Sequence, residues 1–357
     1  MRIAIIGLPM VGKTSLFTIL TGAHEPVRHG PLEARLGVAV VPDERVDRVA
    51  QLFRPPKVTH ATMEFLDFPA ISREALQEPR FLAGMRLAEA LAHVLRFFAS
   101  DSVPHEKGSV DPVRDLNDVE AELILSDLVM VEKRLERLEK DRKKIKSAEL
   151  DREFELLEMA RAALEADRPL RTLELDAEAE KRLRGFGFLS QKPMLYVLNL
   201  GEEDAPRLHE IEAEFRRRHL DALPRTDVVA VCGRIEAELA ELGTGEAAEF
   251  MASYGLPESG LGRILQASYR LLGLVSFITA SETEVRAWSV PAGTTALKAA
   301  GTIHTDFEKK FIRAEVANWK TLVEAGGYAG ARERGLLRLE GKDYVVADGD
   351  VLLIRHG

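Results

Sequence analysis

The chain is poor in cysteine: Cys232 is its only one in 357 residues. A lone thiol rules out an internal disulfide framework and a cysteine-based zinc cluster, and it fits a reducing compartment. Long apolar runs are missing too. None approaches the roughly 18 residues that a membrane span needs, so no membrane partner is expected. There is no basic excess either, with 49 Lys and Arg against 58 Asp and Glu and a formal charge of −9. That balance excludes a protein that coats nucleic acid over its whole surface, while leaving room for a local basic patch. The chain runs directly into its first strand, so no cleavable signal is expected and a cytoplasmic location follows. Repeats and low-complexity segments are absent. With 46% hydrophobic and 30% charged residues, the composition supports real cores, and the length allows two or three domains.

The most informative stretch is Arg2-Ile3-Ala4-Ile5-Ile6-Gly7-Leu8-Pro9-Met10-Val11-Gly12-Lys13-Thr14-Ser15. Its β-branched first half reads as a buried strand. Gly7 and Gly12 bracket four residues and Lys13-Thr14 follow, which is the frame G-x-x-x-x-G-K-[ST]. Leu16, Phe17, Ile19 and Leu20 then form the apolar side of a helix. Strand, glycine-rich loop and helix start are the context in which this motif binds phosphate, because successive backbone N–H groups and the helix dipole converge on an anion. Met10, Val11, Gly12, Lys13, Thr14 and Ser15 are therefore expected around a nucleotide's phosphates. Lys13 reaches the β- and γ-phosphates and the Thr14 hydroxyl takes Mg²⁺.

Residues 24–37 are polar and interrupted by Pro26, Gly30, Pro31 and Gly37, so they read as a loop beside that site. A strand at 37–42 and a short helix from Asp43 come next. The apolar strand at 63–66 ends in Asp67, placed where P-loop folds hold a magnesium-bound water. Residues 91–98 read as another strand, followed by the polar loop Asp101 to Gly108. From Ala121 the pattern changes to Ala121, Ile124, Leu128, Val131, Leu135 and Leu138, extended by Ile145. Leu150, Phe154, Leu157 and Leu164 repeat it behind a break near Lys146-Ser147. This reads as an antiparallel helical hairpin with a coiled-coil seam, inserted in the nucleotide domain. Its turn carries Lys140, Arg142, Lys143, Lys144 and Lys146, either a solvated helix end or a basic tip for RNA.

The nucleotide domain resumes with the strand at 193–199. In P-loop switch proteins an Asn at this strand end faces the base, and an Asp three residues later accepts the two N–H donors of guanine. Here Asn199 is followed by Leu200 and, three places on, Glu202, so the guanine-reading pair is missing. Residues 227–233 form a further strand running into Cys232-Gly233 near the base, and a helix follows at 235–242. Beyond 274 the pattern becomes short: a hairpin at 275–279 and 285–290, a helix from Thr295, and strands at 311–316, 336–339, 344–346 and 351–354. Strands wrapped on one crossing helix suggest a β-grasp half-barrel.

Taken together, the chain resembles the YchF-type Obg-like ATPases nearly end to end. The resemblance is carried by Gly7 to Ser15, by Asp111-Pro112-Val113-Arg114-Asp115-Leu116 and by Cys232-Gly233-Arg234-Ile235-Glu236-Ala237-Glu238-Leu239. Further matches are Glu284-Val285-Arg286-Ala287-Trp288, Gly301-Thr302-Ile303-His304-Thr305-Asp306-Phe307-Glu308-Lys309, Phe311-Ile312-Arg313-Ala314-Glu315 and Glu340-Gly341-Lys342-Asp343-Tyr344. It implies an α/β fold. A P-loop NTPase (Ras-like G domain) would span 1–116 and 187–273, with a coiled-coil hairpin inserted at 117–186 and a C-terminal β-grasp domain (TGS, ubiquitin-like) at 274–357.

The resemblance also implies ATP as substrate and ADP as product in place of guanine nucleotides, because Asn199-Leu200-Gly201-Glu202 matches the family's Asn-x-x-Glu. A GTPase is the alternative. His105 falls where the family has a histidine on a mobile loop that is thought to position water; as a plain sequence feature it is an exposed loop residue. The family binds ribosomes, which would make the hairpin tip and the TGS domain contact surfaces for ribosome or ribosomal RNA. Three departures stand out. Pro31 takes the place of the magnesium-binding Thr of switch I, Asp67-Phe68-Pro69-Ala70 replaces Asp-x-x-Gly in switch II, and Met10 replaces an Asn. They leave diphosphate binding intact and weaken sensing of the γ-phosphate, so a hydrolysis-impaired binding module is the alternative to a slow Mg²⁺-dependent ATPase.

Overall fold

The structure, a computed structural model, describes residues 1–22, 33–72 and 74–357. They divide into two compact units, one of residues 1–38 and 64–267 and the other of residues 39–63 and 268–357. Pro31 lies outside the described residues.

Six strands make the first sheet: β1 (Arg2–Ile6), β2 (Arg35–Val40), β4 (Thr62–Asp67), β5 (Ala90–Arg96), β6 (Met194–Asn199) and β7 (Thr226–Val231). Their order is β2-β4-β1-β5-β6-β7. β1 pairs in parallel with β4 and β5, and β5, β6 and β7 continue the parallel run. Ile3, Ala4, Ile5 and Ile6 are fully buried, as expected of a strand covered on both faces. β2 lies at the edge and alternates buried and exposed residues, the mark of one covered face. It starts at Arg35, two residues before the sequence pattern placed it.

The helical insertion is a hairpin of Pro112–Lys144 and Ala148–Glu165. Its seam buries Ile124, Val131, Leu135, Leu138, Leu156, Leu157 and Leu164, with Leu128, Leu150 and Phe154 packed beside them. Ile145 is not in the seam. The first helix ends at Lys144, and Ile145 stands 60% exposed. Polar contacts anchor the hairpin's root. Buried Asp127 accepts the N–H groups of Leu189 and Ser190 at 2.9 and 2.7 Å, and burial pushes its carboxyl up to about 6. Glu120 accepts Nη1 of Arg171 on both oxygens, at 2.9 and 2.8 Å, and the hydroxyl of Tyr196 at 3.3 Å.

The second unit holds β3 (Lys57–Thr59), β8 (Leu274–Ala280), β9 (Glu284–Pro291), β10 (Phe311–Asn318), β11 (Arg338–Glu340) and β12 (Asp350–His356), in the order β11-β10-β12-β8-β9-β3. The expected hairpin is present, with Val275 opposite Val290 and Phe277 opposite Trp288. The helix Ala296–Ile303 buries Ala296 and Ala299 in a core with Phe277, Val290, Val316 and Leu352. The segment 344–346, read from sequence as a strand, forms only a bridge from Val345 to Thr295. Asp350 holds it as a turn by accepting the Tyr344 hydroxyl and the Ala347 N–H.

Candidate nucleotide-binding site

β1 ends at Ile6 and the first helix begins at Lys13, so the six residues between them must reverse the chain tightly. Gly7 (φ 145°) and Gly12 (φ 98°) adopt conformations that a side chain rarely tolerates. Space forbids one as well: a Cβ at Gly7 would sit 2.7 Å from the Val94 carbonyl oxygen, and one at Gly12 would sit 2.4 Å from Nδ2 of Asn199. Met10 is also left-handed, at φ 60°, and is exposed. Val11 is buried, while Thr14 and Ser15 at the helix start are exposed.

Lys13 folds back over this loop and donates to the Leu8 carbonyl at 2.6 Å. Burial lowers its ammonium to about 8, although Asp67 and Glu106 pull it back upward. The Thr14 hydroxyl donates to Oδ2 of Asp67 at 3.1 Å, so the two expected metal-binding oxygens do converge. The gap they share is filled, however. Nη2 of Arg35 donates to Thr14 Oγ1 at 2.9 Å and pairs with Asp67 Oδ2. In this arrangement the pair does not fit Mg²⁺, because a guanidinium already takes both oxygens. No motif in the sequence pointed to Arg35; its signal is positional, as the first residue of β2.

On the base side, Asn199 ties the site together. Its Nδ2 donates to the Val11 carbonyl and its Oδ1 accepts the Gly233 N–H, both at 3.0 Å. Leu200 is buried, with its N–H on the Val231 carbonyl. Glu202 pairs with Nε of Arg234 at 2.6 Å, a partner the sequence did not single out. Cys232 is buried beside them, and burial pushes its thiol up. The P-loop, Asn199, Leu200, Cys232 and Gly233 are thus brought together.

His105 is not the exposed loop residue its sequence context suggests: its side chain is 4% exposed and turns to the helix Pro112–Lys144. Its Nε2 lies 2.8 Å from Oδ2 of Asp115, and its Nδ1 accepts the Lys107 N–H at 3.1 Å. The segment after β4 is packed as well. Phe68 stacks edge-on against Phe81 at 5.2 Å, and the Ile71 N–H reaches the Gly7 carbonyl at 3.1 Å.

Comparison with known proteins shows what the chain is similar to. The family model YchF-GTPase_C, described as a protein of unknown function (DUF933), matches residues 274–357. The chain is 39% identical over 358 residues to the ribosome-binding ATPase YchF of Bacillus subtilis (strain 168), covering 98% of each chain. To the protein of that name in Escherichia coli O157:H7 it is 40% identical over 363 residues, again covering 98% of each. The solved structure of the Schizosaccharomyces pombe YchF GTPase superposes with a TM-score of 0.84 at 26% identity, covering 99% of this chain and 97% of that one. Identity at this level along nearly the full length of both partners reflects common descent, and the chain belongs to the YchF family.

Proposed function

We propose that this protein binds adenine nucleotides and hydrolyses ATP slowly, acting on or near the ribosome in translation or stress regulation. The loop from Gly7 to Lys13 carries the reading: its glycines take conformations and contacts that exclude a Cβ, as a backbone cradle for a diphosphate requires. The names of its relatives, which call them ribosome-binding ATPases, support the rest. The amides of Met10 to Ser15 and the ammonium of Lys13 hold the phosphates. Asn199, Leu200, Glu202, Cys232 and Gly233 surround the base. Arg234 neutralises Glu202 and so weakens it as an acceptor for guanine's N–H pair, which supports adenine over guanine. The basic hairpin tip and the C-terminal unit serve as surfaces for ribosome or RNA. At the tip, Arg142 is tied to Asp151 and Phe154, while Lys140, Lys143, Lys144 and Lys146 are exposed.

Calorimetric titration with ATP, ADP and GTP tests the base, and equal affinities for adenine and guanine nucleotides would overturn it. Lys13→Ala is expected to weaken ADP binding between about 10- and 150-fold, the equivalent of roughly 1.5–3 kcal/mol for a hydrogen bond to a charged group. The second reading is a binding module in which hydrolysis is dispensable. It is favoured by the full engagement of both His105 ring nitrogens. Single-turnover assays of the parent and of His105→Ala separate the two: slow ADP release that the variant loses supports the ATPase. Absence of hydrolysis above the protein-free rate, with ribosome co-sedimentation retained, leaves only the binding module.

A further inference from the structure

The cation position of this site is built from protein. Arg35 opens β2, whose Gly37 lies so close to the first helix that a Cβ there would come within 2.6–2.8 Å of Thr21 and Phe17. The backbone that carries Arg35 is thereby fixed against that helix. The guanidinium lies 5.3 Å from the centre of the Phe17 ring, its side chain is 10% exposed, and Nη2 meets both Thr14 Oγ1 and Asp67 Oδ2. Asp67 is 4% exposed, and its Oδ1 is buried without a hydrogen-bond partner among the described residues. Arg35 therefore supplies the ion pair for a carboxylate that is nearly buried.

We infer that Arg35 replaces the divalent cation in this protein, so that nucleotide phosphates bind at the P-loop without added metal. A guanidinium stays charged at any physiological pH, and its five planar N–H donors match phosphate oxygens. Two acceptors on the protein do not exhaust those donors. A divalent ion entering beside it would meet a like charge at close range, next to a carboxylate that is only 4% exposed. Metal and Arg35 thus exclude one another from the oxygens of Thr14 and Asp67. The inference rests on nucleotide binding as proposed above, and it specifies how that site is neutralised.

Titration of the full-length protein with ADP and with ATP, once in EDTA and once in excess MgCl₂, tests it. The parent is expected to give dissociation constants that agree within about twofold in the two buffers, since the resident guanidinium does the neutralising. Arg35→Ala is expected to bind about tenfold more weakly in EDTA and to recover in MgCl₂, with Arg35→Lys in between. Binding by the parent that needs Mg²⁺, or Arg35→Ala binding as well as the parent in EDTA, would overturn the inference while leaving the nucleotide reading intact. If the parent bound no nucleotide in either buffer, both would fall.

Discussion

Three residues near the loop carry their own predictions. Lys13 must be charged to hold phosphate, and burial lowers it to about 8 in the free protein. ADP affinity is therefore expected to be level below pH 8 and to fall above it, by as much as about tenfold per pH unit, because binding must then take up a proton. Titrations at pH 7, 8 and 9 measure this. Met10 sits at φ 60°, a conformation that costs a non-glycine residue about 1 kcal/mol and that Asn tolerates better. Met10→Asn is expected to raise stability in urea unfolding by roughly 0.5–1 kcal/mol. His93 is buried beneath the loop with Nε2 unpartnered among the described residues. Burial, then the charges of Lys13 and Arg171, lower it to about 3. Its folded value thus lies below its unfolded one near 6.5. Protonation favours unfolding, and stability falls as pH drops below about 6.5. The parent is expected to lose about 1 kcal/mol more than His93→Leu between pH 6.5 and 5.5. Lys13 and Gly12 could be named from spacing alone, since the motif demands them. His93 could not, because its burial depends on pairing with strands far away in sequence.

At the scale of elements, the hairpin was readable from its three- and four-residue steps, because helical periodicity is a local property. Its attachment was not. Glu120 meets Arg171, whose side chain is fully buried, and Asp127 caps the amides of residues 189 and 190. Removing one member of a buried ion pair strands the other, so Glu120→Ala is expected to cost roughly 3–5 kcal/mol in denaturant unfolding. Glu153→Ala, which breaks the partly exposed pair with Arg134, is expected to cost less than about 1 kcal/mol. Near-equal costs would contradict the anchoring role of Glu120. Helix termini, by contrast, shifted from the sequence reading, as at Ile145, where a β-branched residue fits the seam pattern yet lies beyond the last turn.

On the scale of the whole molecule, residues 39–63 fold with residues 268–357. β3 pairs with β9, and Glu284 accepts the Thr59 hydroxyl at 2.8 Å. The helix Glu44–Phe53 packs on β8, β9 and the helix Trp319–Glu324, with Val46 and Val49 fully buried. A fragment of residues 274–357 would therefore lack a strand and a covering helix whose two buried valines are worth roughly 1.5–3 kcal/mol each. Limited proteolysis is expected to cut that fragment faster than the same residues within the whole chain. Equal resistance would mean that residues 39–63 add nothing to its stability.

What the sequence determined by itself was local. A run of β-branched residues, two glycines at a set interval and a lysine at the helix start specify a phosphate loop, because few backbones satisfy those φ and steric demands. What only the tertiary structure decided is which side chains meet around that loop. Arg35 reaches the oxygens of Thr14 and Asp67, both amide ends of Asn199 are taken by main chain, and His105 turns to Asp115. Each of these contacts joins residues that the chain brings together only after its sheet has formed, or that choose one partner among several nearby. Charge and hydrogen-bond satisfaction in a buried space make that choice, and neither can be read along the chain.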